Sequence, residues 1–131
     1  MDLNQLRELS QFPATLEPTN WLDTLSDAHN DVIDDGSGLL YAVGTNLASG
    51  GIVAFDLSDP SSPILVGDYS EAGSTHDAQG VVYNGPDSDF AGKSIIFGAN
   101  ANKLAVLVGS VPSDIGTVSI SIYDYSATHP C

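Results

Sequence analysis

The chain has 131 residues, 42% of them hydrophobic, enough apolar material for one folded domain with a modest core and too much for a disordered chain. Seventeen Asp and Glu stand against Arg7, Lys93 and Lys103, for a formal net charge of -14. So acidic a surface repels phosphate backbones and anionic headgroups, which argues against nucleic acid and membrane surfaces as partners and suits salty water or the capture of cations.

Residues 1–27 read as a connector that opens with a short helical turn. Asp2 is placed to cap it, and Leu3, Leu6 and Leu9 recur at a spacing of three. Pro13 and Pro18 then break the chain, and Trp21 and Leu22 are expected to tuck the connector onto a sheet. The start lacks a basic region followed by an apolar run, so it is not a signal peptide. No apolar stretch approaches the roughly 18–20 residues that span a bilayer. The one cysteine, Cys131, is the last residue, so no internal disulfide can form.

From His29 onward short β-runs alternate with turn residues. Strands are predicted near Asp31–Asp34, Leu39–Gly44, Ile52–Leu57 and Ile64–Tyr69. Asp35-Gly36-Ser37-Gly38 is a hairpin signal, because Asp and Gly tolerate positive φ. Ser58–Pro63 carries two prolines and cannot continue a ladder. A second set follows near Gln79–Tyr83, Ser94–Gly98, Leu104–Val108 and Thr117–Tyr123.

Landmarks recur between the sets. His29, His76 and His129 open successive units at spacings of 47 and 53 residues. Gly44-Thr45-Asn46 is echoed by Gly98-Ala99-Asn100, Pro60-Ser61 by Pro112-Ser113, and Asp68-Tyr69 by Asp124-Tyr125. Four short strands per unit, in meander order and at a period of about 40–50 residues, point to a β-propeller. The rival, an eight-stranded sandwich, gives no reason for landmarks to recur in register. The expected fold is therefore all-β: two four-stranded antiparallel blades of a partial, open propeller. They would span 28–74 and 75–127, with 1–27 as connector and edge of a preceding blade, and 128–131 beginning the next. Because propellers close with four or more blades, the chain is expected to be a piece of a longer protein and a poor monomer alone. Apolar strand residues such as Ile52, Val53, Phe55, Val81, Ile95 and Phe97 would then need neighbouring sheets to cover them.

The segment Ala28-His29-Asn30, with Tyr41–Asn46 and Gly50–Pro60, resembles one LVIVD-type propeller repeat. The stretch Thr75-His76-Asp77-Ala78-Gln79 through Val82-Tyr83-Asn84-Gly85-Pro86-Asp87 is similar to the choice-of-anchor B family of secreted, surface-anchored bacterial and archaeal proteins. The resemblance covers nearly all of residues 2–108 and weakens beyond. Asp56 stands where that pattern has an aspartate after the third strand, whereas Gly109 stands there in the second unit. The resemblance implies an extracellular or cell-surface location and a propeller fold. It implies no established activity and no catalytic residue.

Equivalent positions in successive blades share radius and height, so His29, His76 and His129 are expected at one end of the molecule. Imidazoles gathered there, with Asp31 and Asp77 nearby, would suit a transition metal such as Zn²⁺. The competing explanation is a repeated structural hydrogen bond. Asn30, Asp77 and Gln79 are candidates for binding on the same channel face. Asn84–Asp89 offers Asp87 and Asp89 as oxygen ligands for Ca²⁺, although it lacks the EF-hand pattern and the bidentate Glu; a plain turn is the alternative. No Gly-x-Ser-x-Gly elbow or phosphate-cradling glycine loop is present, while carboxylate pairs for glycoside hydrolysis stay open.

The expected function is a non-enzymatic binding or scaffold module at the cell surface. Its ligand would be a protein or carbohydrate, and its other partners the remaining blades of a full-length chain. The alternative is a hydrolase or lyase, metal-dependent or not, with its site at the channel mouth.

Overall fold

A computed structural model describes residues 3–109 and 121–124. A five-residue 3₁₀ turn, Leu3–Arg7, is followed by strands β1 (Asn30–Asp34), β2 (Leu39–Val43), β3 (Ile52–Asp56), β4 (Ile64–Tyr69), β5 (Thr75–Val82), β6 (Ser94–Asn100), β7 (Lys103–Gly109) and β8 (Ser121–Asp124). They form two antiparallel sheets of four strands, each in sequence order: β1-β2-β3-β4 and β5-β6-β7-β8. The turn signals produce these meanders directly. Asp34 closes the β1–β2 hairpin by accepting from Gly36 N at 3.1 Å and, through its own carbonyl, from Gly38 N at 2.9 Å. Between β3 and β4, Asp59 accepts from the Ser61 hydroxyl at 2.6 Å and from Ser61 N at 2.9 Å, bonds that hold its carboxyl below its ordinary pKa.

Strand ends depart from the sequence expectation mainly at β5. It begins at Thr75 rather than Gln79, because the polar run Thr75-His76-Asp77 pairs with Ala99 and Asn100 of β6 despite lacking apolar alternation. Pro112-Ser113, Tyr125 and His129 lie outside the described residues, as does the blade start expected at 128–131.

The main core lies between the sheets. Leu39, Tyr41, Val43, Ile52 and Ala54 of the first sheet form one buried cluster with Ile96, Ala105 and Leu107 of the second. These positions alternate along their strands, so a single face of each sheet supplies them. On the first sheet's other face Ala42, Val53 and Phe55 are covered by Leu22, Leu25, Leu47 and Ala48. The connector thus docks through Leu22 as expected, but Trp21 does not: it is 75% exposed. The Asn20 side chain, bonded to Ser61 O at 2.8 Å and to Trp21 N at 2.7 Å, holds the chain here with the indole at the surface.

Near the end of each second strand an asparagine does the same work. Asn46 Oδ1 accepts from Ser26 N at 3.0 Å and Asp27 N at 3.1 Å, and Asn100 Nδ2 donates to Ala72 O at 3.0 Å and Gly73 O at 3.2 Å. Each clamps the chain that leads into the first strand of its own sheet. The recurring Gly-x-Asn landmark therefore corresponds to a recurring structural job.

A buried polar contact crosses between the sheets. Ser94 Oγ donates to Asp34 Oδ2 at 2.8 Å, and Ser37 Oγ donates to the same oxygen at 2.8 Å. With the Ser94 proton committed to the carboxylate, the Tyr41 hydroxyl is the donor in its 3.1 Å contact with Ser94 Oγ. Asp34 and Ser94 are each 6% exposed, so these bonds replace solvation that burial removes.

Candidate functional site

The two first strands, β1 and β5, lie side by side where the sheets meet. They run in the same direction: His29 meets His76, Asn30 meets Asp77, and Asp34 lies against Gly80. The expectation that the histidines share one end of the molecule holds for His29 and His76, whose ring centroids are 4.1 Å apart with planes inclined by 50°. His129 lies outside the described residues.

Local chain geometry produces that meeting from both sides. His29 precedes β1, and its N–H extends the ladder by donating to Val43 O at 2.9 Å. Across from it, Gly44 adopts φ +62°, a left-handed conformation that glycine takes without steric cost. A Cβ there would lie 2.6 Å from His29 Cβ and 3.1 Å from Thr75 O, so the missing side chain is what lets the chain at His29 and Thr75 approach this closely. On the other strand, Thr75 pairs with Asn100 and Asp77 with Ala99, which leaves His76 as the extra residue of a β-bulge. A bulge turns its side chain out of the regular alternation, here toward the neighbouring sheet.

Beside the histidines, Asn30 Nδ2 donates to Asp77 Oδ1 at 2.8 Å and ties the strands together. Both side chains also serve their own backbones: Asn30 Oδ1 accepts from Asp31 N at 2.9 Å and Asp77 Oδ1 from Ala78 N at 2.8 Å. Asp31, Gln79 and all four of these side chains are exposed. Gln79 Nε2 reaches Gly80 O at 3.3 Å. The proposed channel-face residues Asn30, Asp77 and Gln79 thus occupy one exposed strip along β1 and β5.

Asp87 and Asp89 sit apart from this strip, in the loop between β5 and β6. Asp87 Oδ1 accepts from Asp89 N at 3.0 Å and its carbonyl from Phe90 N at 3.2 Å, a turn closed by its own side chain. Among the described residues no group of three or more His, Cys, Asp or Glu is arranged to hold a metal ion.

Thr19–Leu22 with Leu25, Pro60 and Pro63 also line an open cleft of about 350 Å³ at the connector. Sequence reasoning did not find this cleft or the Tyr41–Ser94–Asp34 chain. Asp34 was legible as a turn residue, but nothing local marks Ser94 as its partner 60 positions away. Among the described residues, no helix is long and apolar enough to cross a membrane. No protein-family model, curated protein or solved structure matches the chain.

Proposed function

We propose that the two meanders are consecutive blades of a β-propeller and that the module serves a non-enzymatic binding or scaffold role at the cell surface. One observation carries the architectural part. Aligned on the Gly-x-Asn landmark, Tyr41 and Val43 of β2 correspond to Ile95 and Phe97 of β6. Tyr41 and Val43 are the residues by which the first sheet packs onto the second. The second sheet therefore turns outward the face that the first sheet turns toward it. Head-to-tail stacking of this kind continues until a ring closes, which propellers reach with four or more blades.

The surface location and the binding role rest on the resemblance of nearly all of residues 2–108 to surface-anchored repeat proteins. The exposed strip of Asn30, Asp77 and Gln79 supports them, because first strands line the channel of such a ring. Its polar amides and carboxylates suit a hydroxyl-rich or amide-rich ligand, a carbohydrate or a protein segment.

Sedimentation of the chain, paired with protease treatment of intact cells, tests the proposal. The chain should associate beyond its 13.6 kDa monomer mass, and the cellular protein should be cleaved by a protease that cannot cross the membrane. A cooperatively melting monomer at all concentrations would overturn the blade assignment. Full protection on intact cells would overturn the location.

A further inference from the structure

We infer that His29 and His76 form a two-imidazole site for a borderline divalent transition-metal ion, with Zn²⁺ and Cu²⁺ as its probes. The inference goes beyond the proposed binding or scaffold role and needs only the two described sheets. Imidazole nitrogen is a ligand of choice for Zn²⁺, Cu²⁺ and Ni²⁺ and a poor one for Mg²⁺ or Ca²⁺, which prefer oxygen.

Three features build the site, and none of them is the histidines themselves. Gly44 lets the chain at His29 come close to Thr75, the neighbour of His76, since a Cβ at that position would collide with His29 Cβ and crowd Thr75 O. The bulge at His76 aims that side chain across the sheet junction. The 2.8 Å bond from Asn30 to Asp77 holds the two strands together one residue away from each histidine. Two imidazoles bonded side by side to one ion at about 2.0–2.1 Å place their ring centres about 4.5–5 Å apart. The observed 4.1 Å needs only a slight opening of two exposed side chains. Two protein ligands leave the other coordination positions to water or to a ligand carried by a partner. The net charge of -14 draws divalent cations toward the surface, and the imidazoles select among them.

That same charge binds cations unselectively, so the test works against a large excess of Mg²⁺. Calorimetric titration of the full chain with Zn²⁺ should then show one saturable site. His29→Ala and His76→Ala should each weaken it by about tenfold or more, the change that corresponds to 1.4 kcal/mol, with circular dichroism unchanged. Cu²⁺ bound to the unaltered chain should give an electron paramagnetic resonance spectrum with two equatorial nitrogens, a readout that requires no variant. Zn²⁺ binding that Mg²⁺ abolishes, that survives both substitutions, or a Cu²⁺ spectrum with oxygen ligands alone would each overturn the site.

Discussion

In the first sheet the two middle strands are covered on both faces, while at the edges Ile33 stays 54% and Leu65 44% exposed. Leu39, Tyr41, Val43, Ile52 and Ala54 meet the second sheet on one side, and Ala42, Val53 and Phe55 meet the connector and the loop before β3 on the other. Among the described residues, only the inward face of the second sheet is covered comparably. Ile96, Ala105 and Leu107 are buried there, whereas on the outward face Phe97 is 36% and Val81 38% exposed and Leu104, Val106 and Val108 are half-buried. Ile95, at 7%, is the buried exception on that side. A sheet whose two faces are both apolar needs two covers, and among the described residues Leu22 and Leu25 supply the second one to the first sheet.

The sharpest way to break this comparison is to truncate one phenylalanine in each sheet. Phe55 is 1% exposed, so Phe55→Ala should cost about 3–5 kcal/mol, the range for emptying a buried aromatic site, or abolish folding outright. Phe97→Ala should cost clearly less than Phe55→Ala, because 36% of Phe97 is already exposed and less buried contact is lost, and should reduce salt-induced association of the chain. Urea midpoints and light scattering read the two effects. Equal destabilisation by both substitutions would mean that the second sheet's outward face is as well covered as the first's.

A second prediction concerns the polar bonds at the junction between the sheets. Asp34→Ala removes the acceptor of Gly36 N, Ser37 Oγ and Ser94 Oγ, of which only the last belongs to the second sheet. Leaving such groups unpaired should cost about 1–3 kcal/mol. A double-mutant cycle with Ser94→Ala isolates the part that joins the sheets. A coupling of at least about 0.5 kcal/mol is expected for directly bonded residues, and a coupling of zero would reduce Asp34 to a turn residue of the first sheet.

The fold was legible where side-chain alternation and turn chemistry agreed. Ile64–Tyr69 was placed at both ends, and the first hairpin was fixed by Asp34 through Gly38. Burial was legible less evenly. Ile52, Val53 and Phe55 look from sequence like residues waiting for a neighbouring sheet; the second sheet does cover Ile52, but Val53 and Phe55 are 1% exposed or less because Leu22 and Leu25 come from outside any predicted strand to cover their face. Trp21 shows the converse, since hydrophobicity says nothing about which of two adjacent residues an asparagine will turn toward solvent. In the candidate site, the recurrence of His and Asn placed His29 and Asn30 near His76 and Asp77. The bulge that aims His76 was not legible, because it arises from the pairing of two strands and not from the local sequence.

The smallest expected effect separates two tyrosines that pack in the same inter-sheet cluster. Tyr41 donates to Ser94, whereas the Tyr69 hydroxyl is buried with no hydrogen-bond partner among the described residues. Tyr41→Phe should therefore cost about 0.5–1.5 kcal/mol, the usual net value of one hydrogen bond, while Tyr69→Phe should be neutral or slightly stabilising because it removes an unpaired polar atom. Both phenols titrate above the ordinary value of 10.0. Desolvation is the main cause in each. For Tyr41 the Asp34 carboxylate adds to it, and for Tyr69 the Glu71 carboxylate adds to it. A raised folded pKa means that the unfolded chain gives up these protons first. Their contribution is complete below about pH 10 and is lost as pH climbs through the folded value. Urea midpoints measured at pH 8 and at several points above pH 10 should fall for the unaltered chain, and fall less for each Phe variant. If Tyr69→Phe proves as costly at pH 8 as Tyr41→Phe, the Tyr69 hydroxyl has a partner and the two sites are alike.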